Sequence, residues 1–206
     1  MRTSCHICIA IIVGAAGCNQ GPGAIRPPKV NASAAAAAAI KQYDRNGDGK
    51  LAKDEWRTSP ALAAVASQYD QNGDGELTSE EIAAGIAAWR QTGIGARTVP
   101  FEVRLNGQPL SGATVRLEPA PFLGGGVKEA SGETSAGGNG QFNMKPEDRP
   151  KNAPNMPLMQ PGLYHVLITH PSIKIPPKYN IDTTLGIEIT SSNPGPEGVK
   201  WSLSSK

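Results

Sequence analysis

Asp44-Arg45-Asn46-Gly47-Asp48-Gly49-Lys50-Leu51-Ala52-Lys53-Asp54-Glu55 recurs 26 residues further on as Asp70-Gln71-Asn72-Gly73-Asp74-Gly75-Glu76-Leu77-Thr78-Ser79-Glu80-Glu81. Each stretch puts oxygen-bearing side chains at its first, third, fifth and twelfth positions. These are Asp44, Asn46, Asp48 and Glu55 in the first, and Asp70, Asn72, Asp74 and Glu81 in the second. Calcium is a hard cation that takes about six to eight oxygens in loose geometry, and a flexible twelve-residue loop can supply them in this order. The seventh position contributes a backbone carbonyl, here from Lys50 and Glu76. At the ninth position Ala52 has no side-chain oxygen, so a water is expected there, whereas Thr78 can coordinate directly or through water. Gly49 and Gly75 stand where the loop turns with a positive φ, which glycine takes without strain.

The run Asn-Gly-Asp-Gly is also an ordinary turn sequence. Two complete loops at a fixed spacing argue against that reading, and the pair resembles EF-hand calcium loops. The resemblance implies that Leu51 and Leu77, at the eighth position of each loop, form a short cross-loop β-contact. A bidentate glutamate favours calcium over the smaller magnesium ion. Three carboxylates per loop suggest modest affinity, of roughly 10⁻⁴–10⁻³ M as in extracellular modules.

The flanks fit this reading. Residues 34–43 are alanine-rich and favour helix. Tyr43 and Tyr69 each stand just before a loop. Ile82, Ile86 and Trp89 share one face of a helix capped by Thr78 or Ser79 and running to about Arg90. Trp56, Leu62 and Val65 are expected to complete a small core. Ser59-Pro60 interrupts the short segment between the loops, so its helices should be brief.

The N-terminus reads as an export signal. Arg2 supplies the positive start, residues 7–13 are apolar, and Gly14-Ala15-Ala16-Gly17-Cys18 follows. The apolar run is too short to span a bilayer. Small residues before a cysteine resemble the bacterial lipobox, which implies lipidation of Cys18. An ordinary signal peptide cut nearby would instead leave Cys18 as a free thiol. The chain's three cysteines are Cys5, Cys8 and Cys18, so removal of the signal leaves no internal disulfide. Asn19 is not the aspartate that retains lipoproteins in the inner membrane of some bacteria, so in a cell with an outer membrane that membrane is the favoured destination. Residues 18–33, rich in Gly, Pro and Ala, read as a flexible tether.

From residue 99 the pattern changes. Val99, Phe101, Val103 and Leu105 alternate as in a half-buried strand, and the hairpin signal Asn106-Gly107 follows. Ala113, Val115 and Leu117 mark another strand, and residues 132–144 read as a strand pair around Gly137-Gly138-Asn139-Gly140. Tyr164, Val166 and Ile168, then Ile187 and Ile189, then Val199, Trp201 and Leu203 complete the set. Short strands at this spacing predict an antiparallel sandwich. Residues 123–128 and 145–161 read as long loops, either mobile connections or a binding surface.

Several stretches resemble carboxypeptidase regulatory-like domains, whose fold is a transthyretin-like sandwich. They are residues 103–119, Gly132 to Phe142 (with two extra residues), Pro161-Gly162-Leu163-Tyr164-His165-Val166, and residues 175–189. The resemblance implies a structural or adhesive module and assigns no catalytic residue.

The fold expected is therefore α+β and multidomain: a small all-α EF-hand pair followed by an all-β antiparallel sandwich. The boundaries are a signal peptide at 1–17, the lipid-anchored tether at 18–33, the EF-hand pair at 34–92, a linker at 93–98 and the sandwich at 99–206. No hydrolase, phosphate-binding or zinc-protease motif is present. His165 and His170 fall on opposite faces of one strand, and no enzyme activity is expected. A net charge of +2 without a basic cluster argues against nucleic acid. The reading is a calcium-binding cell-envelope lipoprotein with a structural or adhesive role. Its partners would be calcium, a membrane through the anchor, and an envelope protein or glycan. The alternatives are a calcium-dependent, dockerin-like docking module and an accessory protein that presents a carbohydrate or other substrate.

Overall fold

The computed structural model describes residues 24–205. The export signal and Cys18 lie outside the described residues. Asn31 starts the helical region: its side-chain oxygen accepts the Ala34 N–H at 3.0 Å and caps α1 (Ala32–Tyr43). The buried face of α1 is Ala35, Ala36, Ala39 and Tyr43. Such small side chains let α1 run close along the last helix of the region. The first loop leads into β1 (Lys50–Leu51) and the single-turn helices α2 (Lys53–Trp56), α3 (Pro60–Ala63) and α4 (Ala66–Tyr69). Ser59 caps α3 and Pro60 takes its first turn, where a missing N–H costs nothing. The second loop leads into β2 (Leu77–Thr78) and α5 (Ser79–Gln91). Thr78 caps α5, and Ile82, Ile86 and Trp89 are buried along its inner face.

Two sheets follow. One has the order β10-β9-β5-β6-β8, made from β5 (Thr114–Pro119), β6 (Ala130–Glu133), β8 (Asn143–Met144), β9 (Gly162–Thr169) and β10 (Gly186–Ile189). The other sets β11 (Val199–Leu203) beside β3 (Pro100–Leu105), with β4 (Gln108–Pro109) and β7 (Asn139–Gln141) also paired to β3. Asn106 and Gly107 both take positive φ, 51° and 82°, as a two-residue hairpin turn between β3 and β4 requires. Inward residues of both sheets meet in one core, where Phe101 stacks on Phe142 at 4.3 Å. This arrangement is compatible with a sandwich.

Two features depart from a simple antiparallel meander. The expected strand pair over 132–144 divides between the sheets. β8 returns to β6, but β7 crosses to β3. The crossing pivots on Phe142, fully buried, whose N–H donates to the Val99 carbonyl. Between β11 and β3 the pairing is parallel, because the chain reaches β11 from the other sheet rather than through a hairpin.

The helical and β regions also share a single hydrophobic core, a closer union than two modules on a linker. Helix α3 lies on β10 so closely that a Cβ on Gly186 would stand 1.8 Å from the Pro60 carbonyl oxygen. Tyr43 packs edge-on against Phe122, in the turn Pro121–Gly126. Val30 is buried, and Lys29 backs onto Gly126, so the end of the expected tether lies against the body. The expected linker is fixed as well. Arg97 and Met159 exchange backbone hydrogen bonds at 2.9 Å, and the Arg97 guanidinium donates to the Thr190 carbonyl. The long segment 145–161 is held by buried Leu158 and Met159 and by Arg149, which donates to the Pro154 and Met156 carbonyls.

Candidate metal centre

The two loops have nearly superimposable internal hydrogen bonding. In the first, Asp44 accepts the N–H of Gly47 at 2.6 Å and of Gly49 at 3.0 Å. Asn46 accepts the Asp48 N–H, and Asp48 accepts the Lys50 N–H. In the second, Asp70 accepts from Gly73 and Gly75, Asn72 from Asp74, and Asp74 from Glu76. Gly49 and Gly75 have φ of 85° and 83°, as expected. Gly47 and Gly73 also take positive φ, at 75° and 76°, which reasoning from the sixth position alone missed.

The twelfth residues close each loop. Glu55 accepts the N–H groups of Arg45 and Asn46 with one oxygen and that of Ala52 with the other. Glu81 does the same with Gln71 and Thr78, and gains the Thr78 hydroxyl at 2.8 Å. Both glutamates are buried. The loops join through antiparallel pairing of Lys50 with Thr78 and Leu51 with Leu77, and both leucines are fully buried. The Lys50 and Glu76 side chains form a cross-loop ion pair at 2.9 Å. Exposed pairs of this kind contribute little.

The electrostatics favour ionised donors. The Lys50 N–H and the Asn46 amide hold Asp48 below the usual carboxylate range, and the Glu76 N–H does the same for Asp74. Burial alone would raise Glu81, but hydrogen bonds from Thr78 and from the Gln71 and Asn72 amides outweigh it and leave it lowered.

This all-oxygen, carboxylate-rich donor set fits calcium. Among the described residues, no three acidic, histidine or cysteine side chains converge on one point. Each loop carries amide and carbonyl oxygens at two of its donor positions, and its glutamate is turned onto backbone amides.

Residues 36–58 and 67–86 match the EF-hand family model. That match implies calcium binding. No curated protein and no solved structure matches this chain.

Trp56 differs from its expected place. It is only half-buried, and its indole N–H donates to the Gly75 carbonyl of the second loop. It packs against the margin of the core and buttresses the second loop. His165 sits within β9, with burial lowering its pKa. His170 lies just past the strand, where one ring nitrogen meets the Ser111 carbonyl at 2.9 Å and the other accepts the Ser172 and Ile173 amides. Sequence reasoning missed Glu188. Its alternation with Ile187 and Ile189 reads as an outward residue, yet it is 2% exposed beneath the helical region and accepts the Tyr69 hydroxyl at 2.7 Å.

Proposed function

We propose that this chain is an exported calcium-binding protein of the bacterial cell envelope, anchored by a lipid on Cys18, with a structural or adhesive role and no catalytic one. The observation that carries the reading is the pair of complete loops locked together at Leu51 and Leu77. Calcium in these loops rigidifies the region that joins the anchor to the sheets. Outside the cell calcium is plentiful and steady, so the loops hold a shape rather than report a signal. Residues 99–206 act as a carboxypeptidase regulatory-like sandwich. Support for this comes from the motifs in residues 103–119 and from the two sheets with one core. Thr134 of the Gly-x-Thr motif pins both ends of the β4–β5 connection, donating to the Leu110 carbonyl and accepting the Ala113 N–H.

The test has two arms. Millimolar calcium raises the melting temperature of the chain, and chelation reverses the effect; an unchanged melting curve contradicts the calcium role. In cells, Cys18→Ser moves the protein from the membrane fraction to the soluble one. Retention of the substituted chain in membranes contradicts the anchor.

A further inference from the structure

The two loops are alike within themselves but not in what holds them. Tyr69 ends α4 and precedes the first ligand position of the second loop. Its hydroxyl donates to Glu188 of β10 at 2.7 Å. Its ring lies against Gly85 of α5 so closely that a Cβ there would stand 2.3 Å from the ring carbon bearing the hydroxyl. Gly85 is one turn beyond Glu81, the closing residue of the same loop. Tyr69 therefore touches three elements at once: the helix entering the second loop, the helix leaving it and the edge of the sheet. Tyr43, in the matching place before the first loop, packs edge-on against Phe122 instead.

Glu188 is a costly group to bury. Both it and Tyr69 are 2% exposed, and the partners of its carboxylate are the side chains of Tyr69 and Gln68 on α4. Trp89, on the same stretch of α5, brings its buried indole N–H up to the Tyr69 hydroxyl. A buried carboxyl held in this way contributes little net stability, but it fixes geometry.

We infer that Tyr69 and Glu188 are positioning residues for the second calcium loop, which the sheet preorganises through them. The inference rests on the calcium reading above. The joint is formed while the second loop is closed, with Glu81 already folded onto Gln71 and Thr78. Holding the bracketing helices at this angle removes ordering that binding would otherwise have to supply. Coupling is reciprocal, so calcium in the second loop in turn tightens the joint.

The test isolates each loop in the chain by removing the other's closing carboxylate, with calcium itself as the probe and calorimetry as the readout. In the Glu55→Gln chain, where the second loop binds alone, Tyr69→Phe weakens calcium about tenfold, within the usual range of such couplings. In the Glu81→Gln chain, where the first loop binds alone, Tyr69→Phe leaves affinity unchanged. Glu188→Gln keeps an acceptor for Tyr69 and retains most of the affinity, whereas Glu188→Ala loses it. If Tyr69→Phe does not fold, Glu188→Ala in the same two backgrounds gives the same readout. An equal effect on both loops, or on neither, overturns the inference. Calcium binding to neither loop of the unsubstituted chain overturns the calcium reading and this inference with it.

Discussion

Gly186→Ala is the sharpest probe of the junction between the helical region and the sheets. The new Cβ would lie 1.8 Å from the Pro60 carbonyl oxygen, 2.2 Å from its carbon and 2.7 Å from the Ala61 nitrogen. Carbon atoms settle at about 3.5 Å or more, so α3 or β10 must retreat by more than about 1 Å. All three of these atoms are backbone, and no rotamer change moves them. Retreat of α3 loosens Ala61 and Leu62, both fully buried. Overpacking of this kind costs about 1–3 kcal/mol, and a backbone clash belongs at the upper end. For a chain of this length, about 3 kcal/mol corresponds to a fall in Tm of about 6–12 °C. Gly195→Ala is the control, since a Cβ there meets nothing within 4 Å. The assay is thermal unfolding in calcium, followed by tryptophan fluorescence and by circular dichroism. Trp89 and Trp201 report from the two regions, and their transitions are expected to fall together. A Gly186→Ala chain that melts like the unsubstituted one refutes the close approach. A helical transition separating from the β transition refutes the shared core.

Further outcomes follow from the same contacts. Thr78→Ala removes both the cap of α5 and a side-chain oxygen beside the second loop, so denaturant unfolding in chelator should show a loss of about 1 kcal/mol. Asn31→Ala should cost a similar amount, about 1 kcal/mol, through the start of α1. Burial raises Glu188 above its usual pKa of 4.5, so the native state holds its proton longer than the unfolded chain does. Stability therefore declines as pH rises from 4.5 through the raised value, and urea midpoints of Glu188→Gln should gain on the unsubstituted chain across that window; parallel pH profiles would contradict this. Glu81 works in the opposite sense. Its lowered pKa adds stability above 4.5, which is lost as pH falls through the folded value.

Local features of the fold were legible where the physics is local. All donors of a calcium loop lie within twelve residues, so spacing alone locates Asp44 to Glu55 and Asp70 to Glu81. The alternation at Val99 to Leu105 and at Tyr164 to Ile168 is likewise set by one strand's own pleat, and β3 and β9 fall there. What sequence could not provide was which face a distant element covers. Glu188 is buried because α3 and α4 lie over β10, and nothing within residues 186–189 records that. Trp56 is half-exposed because the second loop offers its indole a carbonyl. The switch of β7 to the other sheet hangs on Phe142 reaching the core beside Phe101, a contact between residues far apart in the chain. The tether reading rests on Gly, Pro and Ala content, which is blind to the packing of Val30, and nothing within residues 93–98 records the pairing of Arg97 with Met159.

The central claim is that both loops bind calcium. Isothermal calorimetry of calcium into the unsubstituted chain and the Glu55→Gln/Glu81→Gln chain tests it most directly. Two ions per chain, with affinity in the range of roughly 10⁻⁴–10⁻³ M or tighter and loss of both in the double variant, is the result predicted. No heat of binding at millimolar calcium, or identical binding to both chains, would contradict it.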